Sequence, residues 1–430
     1  MIQPTRRSFI KGGLAVTAYS LVHPALASGA GEPDILVVVF LRGGMDGLNL
    51  VPPVSGSDRS RYEVARPSLA VPLSGDGAAL TLDGGFGLHP AAAPLLQLYD
   101  SGRMAVVHAT GMHDPTRSHF EAQDYLELGT PGDKTVGSGW LHRHLATAGN
   151  LPQELMVPAL ASGTLQPMSL LGSGETLTLS DPELFTIATG PMRWNGQQHQ
   201  VLRSLYSLEE GPVHAAGTQS INSVDIVQTY VTDDYLPAGD AQYPEDETGS
   251  RIELAAQMIS LDLGIHVATI DVGGWDTHEN QGTGSSGTFA GLVGSVSQGL
   301  GAFHTDMEAR GLADRITIVV MTEFGRRIQE NTDQGTDHGH AVPMLVLGNN
   351  VVGGLHGQWP GLDPGQLFEV LDLEVTTDFR QVLAEVVTKR LGNPNISEVF
   401  PGYEDYSPLG VVEAPFSYSP LRRSGGRRLP

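Results

Sequence analysis

Residues 34–44 read DILVVVFLRGG, an apolar, largely β-branched run that ends on a glycine pair. A strand with one wet face alternates apolar and polar residues, whereas one covered on both faces reads as a continuous apolar run. The stretch therefore predicts a strand buried in a parallel sheet. Similar strands are expected at MAVVHAT (104–110), IHVATIDV (265–272), ITIVVMT (316–322) and PMLVLG (343–348). Between them lie the helical patterns PAAAPLLQLYDSG, SHFEAQDYLELG, SRIELAAQMISLDLG, GTFAGLVGSVSQGLGAFHTDMEARG and TDFRQVLAEVVTKRLG. Strands alternating with helices predict an α/β fold: a doubly wound, mostly parallel sheet with helices on both faces.

A chain of 430 residues with 40% hydrophobic content can bury a substantial core. We expect one α/β domain over 30–415. The stretch 150–250, with SGTLQPMSLLGSGETLTLSDPELF and the acidic VTDDYLPAGDAQYPEDETGS, is expected as an irregular or helical insertion or cap. A disordered tail is expected over 416–430, which ends in SPLRRSGGRRLP.

Against 25 Lys and Arg stand 48 Asp and Glu, a net charge of −23 that argues against a nucleic-acid partner. With no cysteine, the chain has no disulfide, no thiolate metal site and no Cys nucleophile. Residues 1–27 carry Arg6-Arg7, then Ser8-Phe9-Ile10-Lys11, a modest apolar run and ALA at 25–27. This resembles a twin-arginine export signal, which implies the twin-arginine translocase as a partner during export and a periplasmic or otherwise extracytoplasmic location. The apolar stretch, broken by Gly13, Ser20 and Pro24, is too short for a final membrane anchor, so no integral span is expected.

In an open parallel sheet, ligands bind beyond the carboxyl ends of the strands. Here those ends carry RGGMDGLN with Asp46, GMHDPTRSHFEAQ, GGWDTHENQG, TEFGRR and, leading into the last strand, GTDHGHAVP. Asp276 and His278 are two apart, and His338 and His340 repeat that spacing after Asp337, so each pair shares a face if its segment is extended. With Asp46 and Glu323 they form a carboxylate and imidazole set suited to one or two divalent ions, with Zn, Mn, Mg and Ca all open. Two metals about 4 Å apart would clamp both oxygens of an in-line displacement. A nucleophile is available in HDPTRSHFEAQ: Ser118 or Thr116, with Arg117 to hold an oxyanion and His119 to move a proton. His89 and His113 are candidate substrate contacts. In the competing structural reading, Ser118 and Glu121 form a capping box.

The blocks LRGGMDGLN, LHPAAAPL, DPTRSHFEAQ, GGWDTH, TEFGRRIQEN and GTDHGHAVPMLVLG resemble the DUF1501 family, which is itself similar to the alkaline phosphatase and sulfatase superfamily. The resemblance implies an alkaline-phosphatase-like sheet with metals at the strand ends. It places Asp46 as the first-strand metal Asp, Asp276 and His278 as a metal pair, and His338 and His340 near the last metal His. Glu323 departs from the pattern, because it is followed by Phe324 where the superfamily has a His. His113 stands where sulfatases carry the Cys of C-x-P-x-R, so formylglycine chemistry is excluded. The expected function is an exported metal-dependent hydrolase of small or polymer-linked phosphate esters, in preference to sulfate esters. The alternative is a non-catalytic extracytoplasmic binding or assembly protein that keeps a structural metal.

Overall fold

A computed structural model describes residues 33–151, 155–187, 194–404 and 406–414. The expected export signal and the tail over 416–430 lie outside the described residues.

The main sheet has nine strands: β1 (Ile35–Leu41), β2 (Met104–Gly111), β3 (Ala159–Ser162), β4 (Thr176–Leu179), β5 (Val267–Val272), β6 (Ile316–Met321), β7 (Val342–Leu347), β8 (Gly354–His356) and β9 (Thr377–Asp378). Their order is β8-β2-β7-β6-β1-β5-β3-β4, with β9 also pairing β2. β1 is central and parallel to both β5 and β6, and all seven of its residues are buried.

Its side chains alternate between two cores. Ile35, Val37, Val39 and Leu41 point into one, and Leu36, Val38 and Phe40 into the other. Helices α1 (Ala93–Asp100), α6 (Glu247–Ser260) and α7 (Thr288–Ala309) contribute to the first core. The second is built with α2 (His119–Leu128), α3 (Trp140–Thr147) and α8 (Phe379–Lys389). A continuous apolar run is thus explained by helix layers on both sides, as the doubly wound expectation required.

One strand runs against the others. β7 is antiparallel to both β6 and β2. The chain between β6 and β7 is a short hairpin, Arg326–Glu330 paired with Thr336–His338, rather than a crossover helix. A strand reached without a crossover returns antiparallel. This also brings the start of β7 to the same sheet end as the carboxyl ends of its neighbours.

Within the 150–250 stretch read as an insertion or cap, β3 and β4 extend the main sheet in parallel next to β5. Beyond Leu179, the described part of the stretch is mainly a helical pair, α4 (Asn195–Tyr206) and α5 (Pro212–Tyr230). No helix among the described residues is long and apolar enough to cross a membrane.

Four histidines are enclosed by this packing. Burial pushes His89, His108 and His266 down to about 4 and His144 to about 3. Below about pH 6.5 the unfolded chain binds protons that these folded rings refuse, so their contribution to stability is full above that value and shrinks as pH falls. Each ring contributes a slope of up to ~1.4 kcal/mol per pH unit across its window. The urea unfolding midpoint is expected to fall steeply between pH 7 and about pH 4.5. An unchanged midpoint would show that the buried rings are not held neutral.

Candidate metal centre

Three loops meet beyond the carboxyl ends of β1, β5 and β6, and a fully buried arginine joins them. Arg326 Nε donates to Gly44 O at 2.5 Å, and Nη1 donates to Thr336 O at 2.7 Å. Its Nη2 donates to Gly43 O, to Trp275 O at 3.0 Å and to Asp276 Oδ1 at 2.7 Å. The loops approach so closely that a Cβ on Gly43, at φ +126°, would lie 2.4 Å from Asp276 N. Only glycine fits there. Gly43 N–H is also free to donate to Glu323 Oε1 at 2.8 Å.

Asp276 is thereby held at the centre of three histidines. His119, the first residue of α2, donates from Nδ1 to Glu323 Oε1 at 2.7 Å, which leaves its Nε2 3.4 Å from Asp276 Oδ2. His338 donates from Nδ1 to Arg117 O at 2.8 Å, and its Nε2 is 3.1 Å from Asp276 Oδ1. His278 places Nδ1 3.4 Å from Asp337 Oδ1 and Nε2 3.1 Å from Asp276 Oδ1. Carboxylates and carbonyls only accept, so in the neutral rings of His119 and His338 the Nε2 lone pairs face inward.

Two observations fit this donor set to a cation. His119 Nε2 is buried with no hydrogen-bond partner. His278 Nε2 and His338 Nε2 stand 2.8 Å apart, so the inward lone pair of His338 meets a second imidazole nitrogen, a contact that either an Nε2–H on His278 or a cation between the two donors would satisfy. One ligand atom from each of His119, Asp276 and His338 lies within 4.8 Å of the others. Two imidazoles and a carboxylate form a familiar open metal site. The Nδ1–H bonds to Glu323 and Arg117 O are the outer contacts that orient such ligands.

Charge is arranged accordingly. Burial pushes Asp276 up, but the hydrogen bond and positive charge of Arg326 outweigh it and hold the carboxyl at about 2. Glu323 is likewise held low, because bonds from His119 and Gln123 overcome its burial. The bond to Glu323 raises His119 above the ordinary imidazole value, whereas burial lowers His338. Behind Glu323, Gln123 Nε2 donates to Oε1 at 2.9 Å, and Arg42 reaches Gln123 Oε1 at 3.3 Å while pairing with Glu127 and Asp271.

Other residues picked from the sequence lie elsewhere or act differently. Asp46 is fully buried in an ion pair with Arg66 at 2.6 Å, accepts from Gln281 Nε2 at 2.7 Å and caps a short helix. It is committed to that pair and stands outside the metal group. Glu323 accepts from His119 Nδ1, and Asp337 lies 3.4 Å from His278 Nδ1.

His340 is also outside the group. Its Nε2 donates to Met112 O at 2.9 Å and its ring lies against Phe368. The face it was expected to share with His338 is lost because the strand ends at His338. His89 is a buried cap for the turn at Pro90, and His113 is exposed. The expected capping box does not form: Glu121 accepts from Thr116 Oγ1 at 3.0 Å, while Ser118 makes no side-chain cap bond. The Arg117 guanidinium is paired with Asp372 and Glu369. Arg326 and Gln123 were missed, although TEFGRR had marked the arginine's segment as a sheet-end loop.

The model of a family described as "Protein of unknown function (DUF1501)" matches residues 222–393, a stretch that holds Asp276, His278, Glu323 and His338. No curated protein matches the sequence. Similar solved structures include a phosphonate monoester hydrolase from Silicibacter pomeroyi, at 11% identity over 90% of this chain and 78% of that one, TM-score 0.38. A sulfatase from Pseudoalteromonas sp. shares 10% identity over 89% of this chain and 74% of its own, TM-score 0.38. An alkaline phosphatase from the Antarctic bacterium TAB5 shares 9% over 74% and 93%, TM-score 0.30.

The geometry separates two neighbouring carboxylates. Asp46→Asn strips the buried Arg66 of its counter-charge and should cost about 3–5 kcal/mol of stability. The substituted protein should retain its metal stoichiometry. Glu323→Gln should instead weaken metal affinity by about 10–100-fold, as loss of an outer-shell partner does. Calorimetric melting and metal titration of the two variants distinguish the roles, and metal loss in Asp46→Asn would return that residue to the ligand set.

Proposed function

We propose that the protein is an exported metal-dependent hydrolase of phosphate esters, in preference to sulfate esters, with its divalent ion held by His119, Asp276 and His338. The reading is supported above all by the two histidines whose Nδ1 atoms are fixed on acceptors while their Nε2 atoms face one carboxylate. Export by the twin-arginine route is part of the proposal and rests on the sequence of residues 1–27.

When bound, the ion supplies Lewis-acid polarisation of an ester oxygen and lowers the pKa of a coordinated hydroxyl or water. The chain supplies the rest. Ser118, immediately before His119, is the proposed nucleophile, because its hydroxyl is not spent on capping α2. Thr116 is the weaker candidate, with its hydroxyl already donated to Glu121. Glu323 keeps His119 in the Nδ1–H tautomer, and Arg326 keeps Asp276 ionised and in place. Arg117 lies beside both candidates and is the proposed oxyanion contact. The Ser118 oxygen attacks phosphorus, the ester P–O bond breaks and the alcohol leaves carrying the serine proton. Water then attacks phosphorus, the P–O bond to the serine breaks, the serine regains its proton and inorganic phosphate is released.

The alternative reading, a binding or assembly protein with a structural metal, is favoured by one observation: the Arg117 guanidinium is already paired with two carboxylates. Kinetics decide between them. Mature metal-loaded protein should turn over an aryl phosphate faster than an aryl sulfate. Ser118→Ala should lower kcat by at least about 100-fold with metal content intact. Absence of turnover on phosphate and sulfate mono- and diesters by fully loaded protein would favour the non-catalytic reading.

A further inference from the structure

Beside the metal group, a strained turn offers its own anion to Arg117. Residues Leu367–Phe368 pair with Asp372–Leu373 as a small hairpin. At its tip, Leu371 N–H donates to Phe368 O at 3.1 Å, and both central residues are left-handed, Glu369 at φ +50° and Val370 at φ +64°. Turns with two such residues favour Asn-Gly, because a side chain at positive φ meets its own backbone. A β-branched valine is a poor occupant of that position. Val370 is also 64% exposed, so little burial offsets the strain. Strain of this kind persists where surrounding contacts enforce it, and it collects at ligand clamps and switches.

One enforcing contact is Glu369 to Arg117. Glu369 Oε2 accepts from Arg117 Nη2 at 2.7 Å. Asp372, fully buried, accepts from the same guanidinium through Nε at 3.0 Å and Nη2 at 2.5 Å. The two carboxylates differ in how firmly they are held. Asp372 sits in the hairpin strand and has no exposure, whereas Glu369 is 53% exposed on the turn. Arg117 O meanwhile receives His338 Nδ1, so this guanidinium belongs to the residue that also orients a metal ligand.

We propose that Glu369 is an intramolecular stand-in for the anionic group of the substrate: a latch on Arg117 that a phosphate must displace, with Asp372 remaining as the fixed support. The proposal rests on the reading of Arg117 as an oxyanion contact. It goes further by making the Phe368–Leu371 turn a determinant of anion affinity. Glu369→Gln weakens the latch, while Val370→Gly relieves the strain of the latched turn and favours closure. The two substitutions therefore act in opposite directions on one equilibrium.

Inorganic phosphate is the probe, titrated calorimetrically into the full mature chain with metal content measured in parallel. Glu369→Gln is expected to bind phosphate about 10-fold more tightly than the natural chain, and Val370→Gly several-fold more weakly despite a higher Tm. Arg117→Ala should abolish the gain made by Glu369→Gln. If phosphate affinity is equal in the natural chain and Glu369→Gln while Arg117→Ala loses it, Arg117 is the receptor and the latch is refuted. If Arg117→Ala binds as the natural chain does, the oxyanion reading falls and the latch falls with it. A Glu369→Gln gain that survives metal removal supports the latch independently of the metal centre. Absence of phosphate binding in both the natural chain and Glu369→Gln overturns it.

Discussion

The site depends on one buried guanidinium. Arg326 has no exposed side-chain surface, yet it gathers backbone carbonyls from the loop after β1, the loop after β5 and the hairpin before β7, and then pairs with Asp276. A charge taken out of water is tolerated only when its donors are satisfied and its charge is balanced. Both conditions are met only when the three loops are in register with one another. Their assembly and the placement of the central carboxylate are therefore one event. The close approach at Gly43 is its steric counterpart.

Asp276, once placed, gives the histidines a common target, but their orientation comes from outside the group. Glu323 and Arg117 O each take an Nδ1 proton, so the reactive nitrogens of His119 and His338 turn inward. His119 arrives from the start of α2 and packs against the Phe324 ring at 4.9 Å. The remaining charge network, from Arg42 through Gln123 to Glu323, ties this arrangement to the ends of β1 and β5.

Much of the fold was legible because its central strands are buried on both faces and leave unbroken apolar runs. The direction of β7 was not, since strand polarity depends on the connection, and the hairpin before it carries no helical period. β3 and β4 were too short and too mixed in composition, ALAS and TLTL, to stand out from a loop-rich stretch. At the site, strand-end position drew attention to Asp276, His278 and His338, which the fold brings together, because ligands collect where parallel strands end. Pairing by spacing failed for His340, where the strand stops before it. Asp46 lies in an ion pair with Arg66, away from the histidines, and a buried ion-pair carboxylate and a metal carboxylate look alike in sequence. Arg326 had no readable role, since its partners are mostly backbone carbonyls, which carry no residue identity.

The proposed site would hold one ion where His119, Asp276 and His338 converge. Anomalous scattering at the metal absorption edge, from crystals grown with Zn²⁺ or Mn²⁺, tests this directly. One strong peak is expected within bonding distance of His119 Nε2, His338 Nε2 and an Asp276 carboxylate oxygen. A peak centred on Asp46 or His340, or metal-soaked crystals with no peak at the converging side chains, would contradict it.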